Sequence, residues 1–323
     1  MLAPRRVSAS LFIFVSLLFL ADFFSRPASP HQLPSNGPAV SDLISRADSR
    51  DTSVQRELIK LLLHTDPASS DFNSALTGVR SLASQHVPLA EVALGYLYEH
   101  AHGLPRDYSK AFEYYQAAAL QNFHMAQNNL AFLYQRGLGV PKDLHIASEL
   151  YLASAEQGDY IAQYNLASMY FSGSGVPRDY NKAARWFHAA ADCGDPASQH
   201  VLAVLYANGM GVPLDFTQAA HWEDLSAHQG YTIAESGLAS LYETGKGLPL
   251  DYIAAYAWYS RALSSGDQSA SDHLKSLSHV MTPKQINRAV VLLASLPPPS
   301  RAAATAVDPI ETSIPPNSDA LRE

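Results

Sequence analysis

His221 and His228 stand seven residues apart, two turns of a helix, and His200 falls one helix earlier. Three imidazoles so placed would offer a metal site. No HExxH or other ligand spacing accompanies them, and 13 histidines scattered through 323 residues read as surface residues. His100 and His102 flank a turn and read as solvated. Cys193 is the single cysteine, so the chain holds no internal disulfide. It follows Asp192 at a helix end. A negative neighbour and a helix C-terminus both disfavour a thiolate, so a small, semi-buried and inert residue is expected. Glu223 and Asp224 are adjacent on one helix and do not face each other, which removes them as an acid–base pair. There is no Gly-rich phosphate loop, and spacing supports no Ser-His-Asp arrangement. No cofactor, metal or catalytic residue is expected. The net charge of -8, without a Lys/Arg cluster, argues against a nucleic-acid surface, which needs clustered cations to neutralise phosphates.

The elements that would position any site come from a period of 36 residues. Leu94, Leu130, Leu166, Leu202 and Leu238 recur at this spacing. So do Tyr98, Tyr134, Tyr170, Tyr206 and Tyr242, and the turn glycines Gly103, Gly139, Gly175, Gly211 and Gly247. Five copies run over residues 88–267. A fixed period of this length means stacked units, none able to bury its apolar face alone. In the central copy Ala162, Leu166, Met169 and Tyr170 form one stripe of a first helix. Gly173 stops it, and Asp179 stands where an N-cap accepts a bond from the next helix. A second helix carries Ala183, Trp186, Phe187 and Ala190 on one face and stops at Gly194. Asp107, Asp143, Asp215 and Asp251 repeat the cap, so these carboxylates are structural.

The spaced Leu, Tyr, Gly-x-Gly-Val-Pro-x-Asp-Tyr, Ala, Trp-Tyr and Ala-Ala resemble the Sel-one-like repeat (SLR) family, relatives of the tetratricopeptide repeats. The resemblance implies an all-α, right-handed α-solenoid of helix-turn-helix repeats that binds other proteins or peptides. Departures are local: Ala101 replaces the first turn Gly of copy one, Asn122 its last Gly, and Leu144 and Ile146 the usual Tyr and Lys of copy two. Some secreted relatives are cysteine-rich and have had penicillin binding or hydrolysis attributed to them. This chain lacks that framework.

Both ends read as caps. Residues 52–87 form a degenerate repeat, because Asp71-Phe72, Leu58 and Leu61 sit 36 residues before Asp107-Tyr108, Leu94 and Leu97. Residues 268–296 form a C-terminal cap, with Thr282-Pro283-Lys284-Gln285 as a capping box. Ile286, Ala289, Val290 and Leu293 make the stripe of its last helix. Residues 297–323 have little to bury and read as a disordered tail. At the other end Arg5 and Arg6 precede an apolar run from Leu11 to Leu20. This predicts export, either by a cleaved signal over residues 1–24 or by an uncleaved anchor tethering the chain through residues 7–24. Residues 25–51 read as a linker. The expected location is a bacterial periplasm, or a membrane anchor facing it, with the ER lumen or secretion as the alternative.

Positions that vary between copies are free for recognition. With first helices lining a concave side, as in tetratricopeptide proteins, three rows would face a groove. These are Val92, Asn128, Tyr164, His200 and Ser236; Tyr96, Phe132, Ser168, Val204 and Ser240; and Glu99, Gln135, Phe171, Ala207 and Glu243. Tyr96, Asn128, Phe132, Tyr164, Phe171 and His200 are the expected binding residues, since aromatic anchors carry most interface energy. The function expected is a non-enzymatic scaffold for a protein or peptide ligand. Two alternatives are a hydrolase of cell-wall or β-lactam substrates and a purely structural spacer.

Overall fold

The computed structural model describes residues 40–47 and 52–296. The expected leader, the first part of the linker and the tail lie outside them. Fifteen α-helices and no strands occur among the described residues, consecutive helices pairing as repeats of an all-α solenoid. The chain divides within one helix into two compact units.

The first unit ends at Ala162. It contains α1 (Val40–Ala47), α2 (Thr52–His64), α3 (Ser70–Ser84), α4 (Pro88–His100), α5 (Tyr108–Leu120), α6 (His124–Arg136), α7 (Leu144–Ala155) and the start of α8 (Tyr160–Ser172). Helix α1 falls in the expected linker, yet Leu43 and Ala47 are buried against α2 and α3. Three residues explain it: Leu43, Ile44 and Ala47 make one stripe, and Gly78 has no Cβ to collide with Ile44. The pair α2–α3 spans the residues expected to form a degenerate repeat. His86 takes the left-handed conformation (φ 58°) where Asn122 (φ 59°) does one repeat later.

The second unit begins at Gln163. It contains the rest of α8, then α9 (Tyr180–Asp192), α10 (Pro196–Asn208), α11 (Phe216–His228), α12 (Thr232–Thr244), α13 (Tyr252–Ser264), α14 (Ala270–Val280) and α15 (Pro283–Ser295). The last helix packs on α13 through Ala289 and opens with the expected reciprocal Thr282–Gln285 capping box. Val290, placed on its apolar stripe by the sequence, is 54% exposed.

The repeat motif works as its residues require. First helices end in left-handed Gly137, Gly173, Gly209 and Gly245, and Ala101 adopts the same conformation (φ 57°) despite its Cβ. Each cap Asp accepts backbone N–H bonds from the start of the second helix, as Asp179 does from Lys182 at 3.0 Å. Its own N–H donates to the carbonyl of the recurrent Tyr, as Asp179 does to Tyr170 at 2.9 Å. That Tyr is only half-buried in every copy, whereas Tyr115, Tyr151, Phe187 and Tyr259 of the second helices are fully enclosed. The second turn glycine has a further duty. A Cβ on Gly211 or Gly247 would fall on the carbonyl of Tyr180 or Phe216, the first residue of the preceding second helix. A Cβ on Gly103 would likewise strike the Phe72 ring, so the N-terminal cap is gripped as a true repeat would be.

Candidate interaction faces of the first helices

The first helices are more enclosed than the expected groove requires. In the first unit Tyr96 (9% exposed) and Asn128 (5%) are buried. Tyr96 stacks on His100 with ring centroids 4.1 Å apart. Burial, with the Glu99 carboxylate beside it, pushes its hydroxyl up to about 12. His100 is not solvated as its turn position suggested. Burial lowers it to about 4. Asn128 donates to Asn129 at 3.2 Å. Phe132 is half-exposed, with the Arg136 guanidinium 5.7 Å from its ring centre. In the second unit Phe171 and His200 are buried too, while Tyr164 is half-exposed and meets Phe187 edge-on at 5.6 Å. The exposure expected for Tyr96, Asn128, Phe171 and His200 therefore does not occur. Their side chains are taken up by neighbours within the repeats.

The third variable row shows why. Its residues are matched sixteen positions later on the second helix. Tyr115 donates to Glu99 at 2.7 Å, Tyr151 to Gln135 at 3.0 Å and Tyr259 to Glu243 at 2.8 Å. Where the second-helix residue is Phe187, the row offers Phe171, which needs no acceptor. Where it is Glu223, the row offers Ala207 and the carboxylate turns to His200 Nδ1 at 2.9 Å. Gly237 leaves room for that carboxylate, on which a Cβ would fall. Variation along this row is thus internal compensation: buried polar groups arrive with their partners or not at all. Burial lifts Glu99 to about 7, opposed by the Tyr115 bond and then by Arg106.

A second ladder lies nearer the start of each first helix. Glu91, Gln127 and Gln199 are buried and accept from Gln121, Gln157 and Gln229, each thirty residues on, at 3.0, 2.7 and 2.8 Å. In the last copy Glu235 is faced by Arg261 Nε at 3.2 Å, both buried, an ion pair without hydrogen-bond alignment.

The periodic caps, turns and ladders correspond to a family model. The Sel1 repeat model matches residues 88–123, 124–159, 161–195, 196–231 and 232–267. The chain belongs to the Sel1 repeat family. It is similar to a protective antigen present in uropathogenic Escherichia coli strains, which displays an SLR fold, at 29% identity and TM-score 0.70. That match covers 83% of this chain and 56% of the antigen, so the chain spans little more than half of that relative. A Sel1 repeat protein from Oxalobacter formigenes is similar at 27% identity and TM-score 0.62, over 73% of this chain and 96% of its own. No curated protein matches the chain.

Within the Sel1 repeats the chemically suggestive residues have structural partners. His200 pairs with Glu223, His228 bonds the Asp224 carbonyl at 2.9 Å, and His221 lies edge-on to Trp222. No three His, Cys, Asp or Glu side chains are grouped to hold a metal ion among the described residues. Cys193 is exposed rather than semi-buried, and desolvation, then Asp192 and Asp195, push its thiol up. A shallow groove of about 450 Å³, which sequence reasoning missed, lies on the second-helix side of the second unit. Asn181, Arg185, His188 and Asp192 of α9 border it, with Ala184, Ala189 and Val212 between them.

Proposed function

We propose that this Sel1 repeat chain is an exported or membrane-anchored scaffold that binds a protein or peptide on the face formed by its first helices, expected to be concave. Sel1 repeats typically mediate protein–protein interaction. The observation that carries the reading is the residual exposure of Phe132 in the first unit and of Tyr164 in the second, on first helices whose other variable residues are largely satisfied from within. An aromatic ring left half in water in a well-packed scaffold is a ready anchor for a partner. Export is supported by Arg5, Arg6 and the apolar run Leu11–Leu20. No helix among the described residues is long and apolar enough to cross a membrane, so any tether would come from that run.

The test is crosslinking and co-purification of the full chain from its native host, with Phe132→Ala/Tyr164→Ala in parallel and fractionation of the same cells. A partner held by the native chain and lost from the double variant is expected, with the chain in the envelope or secreted fraction. Identical partner sets for both would remove the first-helix face from the account. Turnover of an amide or β-lactam substrate would replace the scaffold with a hydrolase.

A further inference from the structure

A separate face of the molecule carries a different recognition chemistry. Arg178 stands in the turn just before α9, and Lys182 and Arg185 follow on the first two turns of that helix. In no other repeat are all three of these positions cationic, the pattern being broken by Glu113, Ile146, Leu214 and Leu250. The chain as a whole is acidic, at net charge -8. None of the three cations is ion-paired with a described residue. Each lies instead over an aromatic ring: Arg178 over Tyr180 at 5.5 Å, Lys182 over Tyr170 at 5.1 Å and Arg185 over Trp186 at 5.6 Å. A cation held over a ring face keeps its N–H groups available at the edge and loses little further freedom on binding an anion.

Arg185 lines the groove of α9, and Lys182 stands three residues before it on the same helix. The groove exists because Gly211 lets the next repeat's turn settle on the Tyr180 carbonyl, while Ala184 and Ala189 leave the space beyond it empty. At the place of Ala184, copies one and five carry Phe112 and Tyr256. His188 and Asp192 bond each other at 2.9 Å at the far end, so the carboxylate that lines the groove already has a partner.

We infer that this groove docks a short acidic segment of a partner protein, its carboxylates on Lys182 and Arg185 and its small side chains over Ala184, Ala189 and Val212. The inference does not rest on the first-helix face. Complementary charge steers such a segment and fixes its register, and the groove distinguishes a peptide from any polyanion.

The full chain is titrated into a fluorescein-labelled twelve-residue Glu-Ala peptide and its Gln-Ala counterpart, and anisotropy is read at low and moderate salt. The Glu-Ala peptide should bind at least about tenfold more tightly than the Gln-Ala peptide, and less tightly as salt rises, as exposed charges require. Lys182→Ala/Arg185→Ala should lose that preference. Ala189→Trp, which keeps every cation and fills the groove, should weaken binding about as much, on the order of tenfold. Lys182→Glu/Arg185→Glu should instead bind a Lys-Ala peptide, a gain that misfolding cannot produce. Phe132→Ala/Tyr164→Ala should bind as the native chain does, which separates this face from the first-helix face. Equal binding of the two peptides, or native binding by Lys182→Ala/Arg185→Ala or Ala189→Trp, overturns the proposal. So does full displacement by tripolyphosphate at equal charge, or a dimer that the charge reversal dissolves, which would make a second copy the occupant.

Discussion

At the scale of single residues, the chain carries its own controls. Glu99 and Gln135 occupy equivalent places and both accept from a buried tyrosine, yet only Glu99 can ionise. Its folded carboxyl titrates near 7 against an ordinary 4.5, because burial disfavours the charged form. The folded state therefore holds the proton more tightly than the unfolded chain. The stabilisation is whole below about 4.5 and is lost as pH rises through about 7. Over that range it amounts to about 3 kcal/mol. Glu99→Gln, copying the neighbouring repeat, should flatten that part of the stability–pH curve and be the more stable protein at pH 8 by urea unfolding. Parallel curves for the two proteins would mean that Glu99 is ionised throughout. Phe187→Tyr asks the complementary question. Its hydroxyl would meet Phe171 where Glu or Gln stands in other copies, and an unsatisfied buried hydroxyl costs about 1–3 kcal/mol. Adding Phe171→Gln should recover part of that loss, and strictly additive effects in the double-mutant cycle would refute the pairing.

At the scale of the helix pair, the sequence was legible where geometry forces a residue type. Left-handed turns demand glycine, free N-terminal amides demand an Asp cap, and both recur every 36 residues. What periodicity could not reveal was which variable positions face inward. A stripe shows that a helix has a buried face, but in stacked pairs the neighbouring repeat covers part of the opposite face as well. His200 and Phe171 vary between copies because their partners Glu223 and Phe187 vary with them, and a single position inspected alone looks like a recognition surface. Reading positions sixteen and thirty residues apart together would have exposed both ladders. The second turn glycine gives a prediction at this scale. Gly211 and Gly194 both have positive φ, at 71° and 91°, but only Gly211 has backbone within reach of a Cβ. Gly194→Ala should cost about 1 kcal/mol from conformation alone. Gly211→Ala should cost about 3 kcal/mol or more, because the preceding repeat must move. Equal melting temperatures for the two variants would show that the turn does not grip its neighbour.

At the scale of the whole molecule, the residues with chemistry in them build the scaffold. Histidines pair with carboxylates, the cap aspartates hold helix ends, and the cysteine is solvent-exposed with a raised thiol. The fold class and the five repeats followed from the sequence, as did the capping box of the last helix. Helix α1 did not, because eight residues beside a Pro- and Ser-rich stretch show too little periodicity to separate them from it. Arg178, Lys182 and Arg185 were visible in the sequence as charges, and the groove that Arg185 lines is what gives them meaning. The central claim is that the first-helix face receives a protein partner. The most direct measurement places a photo-crosslinking amino acid at Phe132, at Tyr164 and, as a control, at Leu120, which is 84% exposed on a second helix. Irradiation in the native host should give one discrete adduct from Phe132 or Tyr164 and none from Leu120. The same adducts from all three positions, or none from any, would contradict the account.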